Sequence, residues 1–262
     1  SFTEGPVADE SGDVYFTDQP NNRIVKYSFQ TDEFSDWLKP AGRSNGLYFA
    51  APGQLIACAD ANNELWKISV VDKSHQVIAK GLADERFNGP NDCWVNSDGS
   101  IYFTDPLYRR EYWKHEPSRD RPRAVYHRSA NGDVQLVAEF KQPNGIIGDA
   151  KNQTLYVADI GGRKTYRFKI QSDGKLIDRE LFCDSGSDGM TIDERRNFYL
   201  TGSKGVTVYD PKGDLVQTIA VPRGWTANVT FAGPHREHLF ITSGNAVFVI
   251  KMAVRGIAPA RS

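Results

Sequence analysis

The sequence predicts an all-β protein built as a single six-bladed β-propeller. Three observations carry this prediction: a short apolar strand recurs six times, a polar residue precedes each copy at a fixed distance, and further strands follow each copy. Repeats of about 40 to 50 residues that hold four short strands are typical of propeller blades. No stretch of ten or more residues keeps a helical stripe of apolar positions, which argues against α-helical packing.

The recurring strand ends in a small or acidic residue, and its successive ends lie between 41 and 54 residues apart. Its copies are Val14–Asp18, Ile56–Asp60, Ile101–Asp105, Leu155–Asp159, Phe198–Gly202 and Leu239–Ser243. We expect one copy in each blade.

A polar residue stands 14 or 15 positions before the end of each copy. These residues are Glu4, Asn45, Asn91, Asn144, Asp188 and Asn228. The innermost strands of a propeller surround a central channel. If each polar residue begins an innermost strand, the six side chains converge at one end of that channel.

A third strand follows each copy, and several of these strands alternate polar and apolar residues, as half-buried strands do. They are Arg23–Tyr27, Glu64–Ile68, Ala124–His127, Thr165–Phe168, Val206–Tyr209 and Ala246–Val249. A weaker fourth strand appears in most repeats, but none is visible in the sixth. Two segments are candidates to cover that edge: residues upstream of Ser1, or Val254–Pro259.

The third repeat is about ten residues too long, and the excess lies in Pro106–Arg121, which is rich in charged and aromatic residues. Such a segment is longer than a tight turn and shorter than a domain. Two interpretations remain open. It is either a solvated surface loop or a lid over the mouth of the channel, with Tyr108, Tyr112 or Trp113 touching a ligand.

Composition excludes several classes of function. Lys and Arg (32) nearly balance Asp and Glu (33) over 262 residues, so we expect no nucleic-acid partner. No apolar run approaches the roughly 18 residues of a membrane helix. We therefore expect a soluble protein, cytoplasmic or exported, that is a monomer or a weak dimer. The three cysteines show no CxxC spacing, which disfavours a zinc site of that type.

The six polar positions all offer oxygen, and two of them, Glu4 and Asp188, are carboxylates. Hard cations such as Ca²⁺ take six to eight oxygen ligands. This favours one divalent cation, Ca²⁺ before Mg²⁺ or Mn²⁺, with Zn²⁺ also possible. The alternative is that these residues hydrogen-bond channel water and cap strand ends. Trp225, just before the sixth position, is expected to pack in the core rather than to wall the mouth.

At these positions the chain resembles the senescence marker protein/gluconolactonase family of regucalcin-like six-bladed propellers, most closely its bacterial gluconolactonase-like branch. The motifs that carry the resemblance are Glu4–Pro6, Pro90–Asp92, Tyr102–Pro106, Pro143–Gly145, Asp188–Met190 and Ala227–Pro234. They occur in order over essentially the whole chain.

The resemblance implies a divalent metal held by Glu4, Asn144 and Asp188, with Asp188 also the general base. It implies that Asn91 is a fourth ligand or a substrate contact. The family's substrate-contacting arginine falls at Gly89 here, and Arg86 stands further upstream. We take Arg86, Asn45 and Tyr108 as further candidates for substrate binding.

The implied function is a metal-dependent lactonase that opens a small sugar lactone, with the metal polarising the carbonyl and Asp188 assisting the attack of water. Two alternatives remain open. The first is hydrolysis of other lactones, esters or phosphotriesters at the same metal site. The second is a propeller that binds calcium or a small molecule without turnover.

Overall fold

The computed structural model describes residues 2–116 and 121–257. It confirms an all-β, six-bladed propeller in which each blade is an antiparallel sheet whose strands follow one another in chain order. Strand β1 of the first blade and β23 of the last are neighbours, and Thr3 N donates a 2.7 Å hydrogen bond to Gly244 O. The sheets therefore close into a ring.

The first three blades contain four strands each. Blade 1 consists of β1 (Thr3–Ala8), β2 (Val14–Asp18), β3 (Arg23–Ser28) and β4 (Glu33–Leu38). Blade 2 consists of β5 (Ser44–Ala51), β6 (Gln54–Ala59), β7 (Glu64–Ser69) and β8 (His75–Ala79). A small hairpin, β9 (Gly81–Leu82) and β10 (Glu85–Arg86), then leads to blade 3, with β11 (Cys93–Val95), β12 (Ile101–Asp105), β13 (Ala124–Arg128) and β14 (Val134–Glu139). The sequence repeats do not predict this hairpin.

The last three blades continue the pattern, except that the sixth is shorter. Blade 4 consists of β15 (Pro143–Asp149), β16 (Thr154–Asp159), β17 (Lys164–Ile170) and β18 (Leu176–Cys183). Blade 5 consists of β19 (Met190–Ile192), β20 (Phe198–Gly202), β21 (Gly205–Tyr209) and β22 (Leu215–Ile219). Blade 6 consists of β23 (Thr226–Ala232), β24 (His238–Ser243) and β25 (Ala246–Lys251).

Within the described part of the chain, the segment after β25 does not add a fourth strand to blade 6. It turns back instead: Gly256 N bonds to Arg236 O, and Ile257 N bonds to Ile192 O on the innermost strand of blade 5. Of the two segments expected to cover the outer edge, residues 254–257 therefore lie elsewhere. Residues 258 and 259 fall outside the described ranges.

The hydrophobic core lies between neighbouring blades. Successive strand residues point to opposite faces of a sheet, so each second strand supplies apolar side chains to both adjacent blades. Tyr15 packs edge-on against Trp37 and Phe49 on the side of blade 2, whereas its neighbour Phe16 packs against Phe240 of blade 6. This alternation explains why the recurring strand is apolar throughout and almost fully buried.

The glycines that follow the polar positions let the innermost strands approach one another around the channel. A Cβ atom on Gly189 would lie 2.1 Å from the Asn228 side chain, and one on Gly46 would lie 2.5 Å from Asp92 Oδ1. The backbone nitrogen of Gly46 donates a 2.7 Å hydrogen bond to Asn91 O of the next blade. These glycines are therefore contact points between blades.

No helix of the described residues is long and apolar enough to cross a membrane.

Candidate active site at one mouth of the channel

Hydrogen bonds to the second strand of each blade fix the polar position at the start of the innermost strand. In blade 3, Asn91 N donates to Thr104 O (2.8 Å) and Thr104 Oγ1 accepts from Asp92 N (3.1 Å). In blade 5, Asp188 N donates to Thr201 O at 3.3 Å. Because the second strand runs antiparallel to the first, this pairing produces the constant sequence offset between the two motifs.

The structure brings five of the six repeated polar residues to one pocket of about 420 Å³. Its lining includes Glu4, Asn45, Asn91, Asn144, Asp188, Tyr108, Arg110, Gln142 and Trp225. The sixth residue, Asn228, lies with Asp92 in the narrower channel beneath the pocket. The expected convergence at one mouth of the channel is confirmed for the side chains that line this pocket.

Both carboxylate oxygens of Asp188 accept hydrogen bonds. Asn144 Nδ2 donates to Oδ1 at 2.7 Å, and the indole nitrogen of Trp225 donates to Oδ2. Asn144 Nδ2 also donates to Tyr108 Oη at 2.9 Å. These contacts hold the carboxylate at the pocket surface in one orientation.

Glu4 is buried on the opposite side of the ring from blade 4. Its Oε2 atom accepts hydrogen bonds from Gly5 N (3.0 Å) and Asn228 Nδ2 (3.4 Å). Burial raises the pKa of Glu4 well above its ordinary value, and the negative charge of Asp188 raises it further. Glu4 and Asp188 are therefore close enough to repel each other electrostatically.

Burial also raises the pKa values of two other carboxyl groups near Glu4, those of Asp188 and Asp92. Burial raises the pKa of Asp188 to about 6, although Trp225 and Asn144 stabilise its charged form. Burial raises the pKa of Asp92 to about 7. Glu4, Asp92 and Asp188 are thus buried carboxyl groups within electrostatic range of one another, and a bound cation would favour their charged forms.

The donor set fits a hard divalent cation. The carbonyl oxygen of Asn144, Oδ1, is buried and has no hydrogen-bond partner among the described residues. A buried oxygen of this kind is costly unless something binds it. Within residues 2–116 and 121–257, no cluster of three or more His, Cys, Asp or Glu side chains is placed to hold a metal ion. A cation here would therefore be held by carboxylate and amide oxygens together, as Ca²⁺ and Mg²⁺ are.

The structure does not bring Arg86 to the residues that line this pocket. Arg86 lies exposed on the hairpin strand β10, where its Nη1 atom donates to Asn62 O at 2.9 Å. The hairpin of β9 and β10, which the repeat motifs do not predict, directs this part of the chain away from the pocket.

The prediction that Trp225 packs in the core is wrong. The Trp225 side chain is 39% exposed and lines the pocket instead of packing in the core. Sequence reasoning missed Arg110, which lines the pocket as well and lies in the extra segment of the third repeat. The charged and aromatic composition of that segment was the signal available. Of the same segment, residues 117–120 lie outside the described ranges.

Comparisons with known proteins identify the family of the chain. The family model described as the SMP-30/gluconolactonase/LRE-like region matches residues 2–245. The gluconolactonase of Zymomonas mobilis is 25% identical over 97% of this chain and 80% of its own length. The diisopropyl-fluorophosphatase of Loligo vulgaris is 24% identical over 94% of this chain and 87% of its own length.

A solved structure of a gluconolactonase from Xanthomonas campestris superposes with a TM-score of 0.88 at 26% identity. The match covers 98% of this chain and 86% of that one. The repeats, the ring of polar residues and the family match over nearly the whole length lead to one conclusion. The chain belongs to the SMP-30/gluconolactonase/LRE-like family.

Proposed function

We propose that this protein is a metal-dependent hydrolase that opens a small sugar lactone. One observation carries the proposal. The Oδ1 atom of Asn144, next to the carboxylate of Asp188, is buried and has no hydrogen-bond partner in the part of the chain that the structure describes. Membership of a family whose relatives include gluconolactonases supports the choice of reaction.

Glu4, Asn144 and Asp188 would hold the cation, and Asn91 lies in the same pocket. When bound, the cation supplies positive charge beside the lactone carbonyl, which stabilises the negative charge that develops on its oxygen. The protein's part is to fix the donors before substrate arrives, and the hydrogen bonds to Asp188 do so.

Asp188 is the proposed general base. Its carboxylate accepts a proton from the attacking water as the water oxygen bonds to the carbonyl carbon. The bond between that carbon and the ring oxygen then breaks, and the proton passes to the departing ring oxygen. The products are a carboxylic acid, which then releases its remaining proton to the solvent, and a free hydroxyl group on the same open chain.

The polar lining of the pocket favours a substrate rich in hydroxyl groups. Asn45, Asn91 and Gln142 offer amide donors and acceptors, whereas Trp225 and Ile160 form apolar parts of the wall. Amides cannot exchange protons usefully at neutral pH. Their role here is to orient the sugar ring, and Tyr108 stands beside them.

A second candidate reaction is hydrolysis of a phosphotriester or a phosphorofluoridate at the same metal site. The relative from Loligo vulgaris, which is named for such an activity, favours it. The same cation and the same carboxylate would act on a phosphoryl oxygen in place of a carbonyl oxygen.

The test is hydrolysis of glucono-1,5-lactone, followed with a pH indicator. Protein treated with EDTA is assayed before and after Ca²⁺, Mg²⁺, Mn²⁺ or Zn²⁺ is restored, and diisopropyl fluorophosphate is assayed in parallel. Metal-restored turnover of the lactone is expected. Turnover of the phosphorus substrate alone would select the second candidate. No turnover of either, in folded and metal-loaded protein, would favour a binding protein without activity.

A further inference from the structure

Three side chains of the extra segment of the third repeat bond to one residue, Asp60, which directly follows β6. Asp60 Oδ2 accepts hydrogen bonds from Arg110 Nε (3.1 Å) and from Tyr112 Oη. The carbonyl oxygen of Asp60 accepts a 2.7 Å bond from the indole nitrogen of Trp113. Three side chains of the segment thus converge on one residue that is only 4% exposed.

Asp60 differs in this respect from the residues that take its place in the next two blades. Asp105 accepts hydrogen bonds from the backbone nitrogens of Asn88 and Gly89. Asp159 likewise accepts from the backbone nitrogens of Lys141 and Gln142. In those blades the carboxylate holds the loop that enters the innermost strand. In blade 2 the carboxylate of Asp60 instead accepts hydrogen bonds from side chains, namely those of Arg110 and Tyr112 in the extra segment and that of Gln19.

The contact with Asp60 leaves most of the Arg110 guanidinium group available. Only Nε is used, and Nη1 and Nη2 have no hydrogen-bond partner in the described part of the chain. The group lies over the Tyr108 ring, 5.5 Å from its centroid, and lines the same pocket as Asp188. Tyr108 is itself bonded to Asn144. Arg110 therefore lines the pocket with two guanidinium nitrogens that its contact with Asp60 does not use, in the same pocket as the proposed metal ligands.

We propose that Arg110 is a substrate-binding residue whose free guanidinium nitrogens donate hydrogen bonds to the hydroxyl groups of a sugar lactone, and that Asp60 is the residue that positions it. This proposal rests on the proposed lactonase function and names the substrate class of the same site. It assigns to Arg110 the role that sequence reasoning gave to Arg86.

The charge balance indicates a neutral, hydroxylated substrate. Asp60 neutralises Arg110 through direct contact, so the pair offers directional donors without a net charge. The planar guanidinium loses little rotational freedom when one edge is already fixed. An apolar lactone has only its ester group as an acceptor, and in the proposed mechanism that group lies at the metal site. Such a lactone therefore has no hydroxyl group that could accept a hydrogen bond from Arg110.

The test compares two lactones that share a six-membered ring. Glucono-1,5-lactone carries hydroxyl groups and δ-valerolactone carries none. In Arg110→Gln we expect kcat/KM for glucono-1,5-lactone to fall by about 10-fold to 100-fold, mainly through KM, because hydrogen bonds from a charged donor are lost. For δ-valerolactone the change should stay within about twofold, since this substrate does not use the donors.

Arg109→Gln is the matched control. Arg109 is the adjacent arginine, its side chain is 72% exposed, and it pairs with Glu116 outside the pocket. The same chemical change there should leave both lactones unaffected.

Asp60→Asn tests the positioning role. It should lower the preference for glucono-1,5-lactone in the same direction as Arg110→Gln. The double variant should show the same preference between the two lactones as Arg110→Gln alone, because both changes act on that preference through the same contact between Asp60 and Arg110. A purely structural role for Asp60 would instead reduce turnover of both lactones in parallel.

The outcomes separate this proposal from the proposed function. If the wild type hydrolyses glucono-1,5-lactone but Arg110→Gln keeps its KM and its preference, the assignment of Arg110 is overturned and the lactonase stands. Equal losses on the two lactones would also overturn it. Failure of the wild type on both lactones with every metal would contradict the proposed function, and the assignment with it.

Discussion

Asn144 Nδ2 donates a 2.7 Å hydrogen bond to Asp188 Oδ1, and its second hydrogen is taken by Tyr108 Oη at 2.9 Å. Both amide hydrogens are therefore used, and the amide group is held in one orientation. This leaves Asn144 Oδ1 buried and without a hydrogen-bond partner within residues 2–116 and 121–257. A neutral side chain thus presents an acceptor oxygen beside a carboxylate, which is the arrangement that a hard cation requires.

The first prediction concerns the general base. Asp188→Asn should reduce kcat for lactone hydrolysis by at least about 100-fold, because an amide cannot accept the proton from water. It should also weaken metal binding, since a carboxylate ligand is lost. Steady-state kinetics at saturating metal measure the first effect. Asp184→Asn, the same change at an exposed position four residues earlier, should retain wild-type rates. Full activity in Asp188→Asn would refute this role.

A second prediction separates Glu4 from the base. Glu4→Gln keeps an oxygen donor but removes its charge, so the main effect should be a higher metal concentration for half-maximal activity. We expect a shift of about 10-fold or more, with kcat at saturating metal changed much less. Glu10→Gln, at an exposed position in the same blade, serves as the control. An unchanged metal requirement would remove Glu4 from the site.

A third prediction tests the contact between blades 5 and 6. In Gly189→Ala the new Cβ atom would lie 2.1 Å from the buried Asn228 side chain, so either that side chain or one of the two strands must shift. Overpacking of this kind costs about 1 to 3 kcal/mol of unfolding free energy. Gly202→Ala adds the same atom where nothing lies within 4 Å. Urea unfolding should show a clear loss only for Gly189→Ala, and equal stability of the two variants would contradict the close contact.

A fourth prediction concerns the pH dependence of stability through Asp105, which is fully buried. Burial raises the pKa of Asp105 from 3.8 to about 7 in the folded protein. Between these two pH values the folded protein retains a proton that the unfolded chain has released. The contribution of Asp105 to the unfolding free energy is thus complete below about pH 4 and is lost as the pH rises through about 7.

Asp105→Asn removes this term while the other buried carboxyl groups remain. From pH 4.5 to pH 7.5 the unfolding free energy of the wild type should fall relative to that of the variant, by on the order of 3 kcal/mol. Urea titrations at both pH values measure the difference. Parallel pH profiles for the two proteins would show that Asp105 titrates normally.

The ring of polar residues could be predicted from sequence because antiparallel pairing imposes it. The bond from Asp92 N to Thr104 Oγ1 ties the polar position to the second strand, and the same relation recurs between Gly189 N and Thr201 Oγ1. The constant number of residues between the polar position and the end of the second strand therefore reflects the same spatial pairing of these two strands in each blade. For this reason all six repeated residues could be predicted to converge at one end of the channel, and five of them line the pocket, whereas Asn228 lies in the channel.

The side chains that surround the ring could not be predicted in the same way. Trp225 and Arg110 reach the pocket from loops that do not repeat, so no period in the sequence predicts their direction. Arg86 shows the converse, because the local hairpin at β9 and β10 carries it away from the mouth. Asp60 fits the repeat but takes different partners, and only the placement of the extra segment shows this difference.

The central claim is that Asn144 Oδ1 and the carboxylates of Glu4 and Asp188 hold a divalent cation. Anomalous diffraction from crystals soaked in Mn²⁺, and separately in Ca²⁺, tests it most directly. We predict one strong peak in the pocket, at the distance of a direct metal–oxygen bond from Asn144 Oδ1, about 2.0 to 2.6 Å. A pocket that stays without a peak at millimolar metal, or a peak bound only to other residues, would contradict the account.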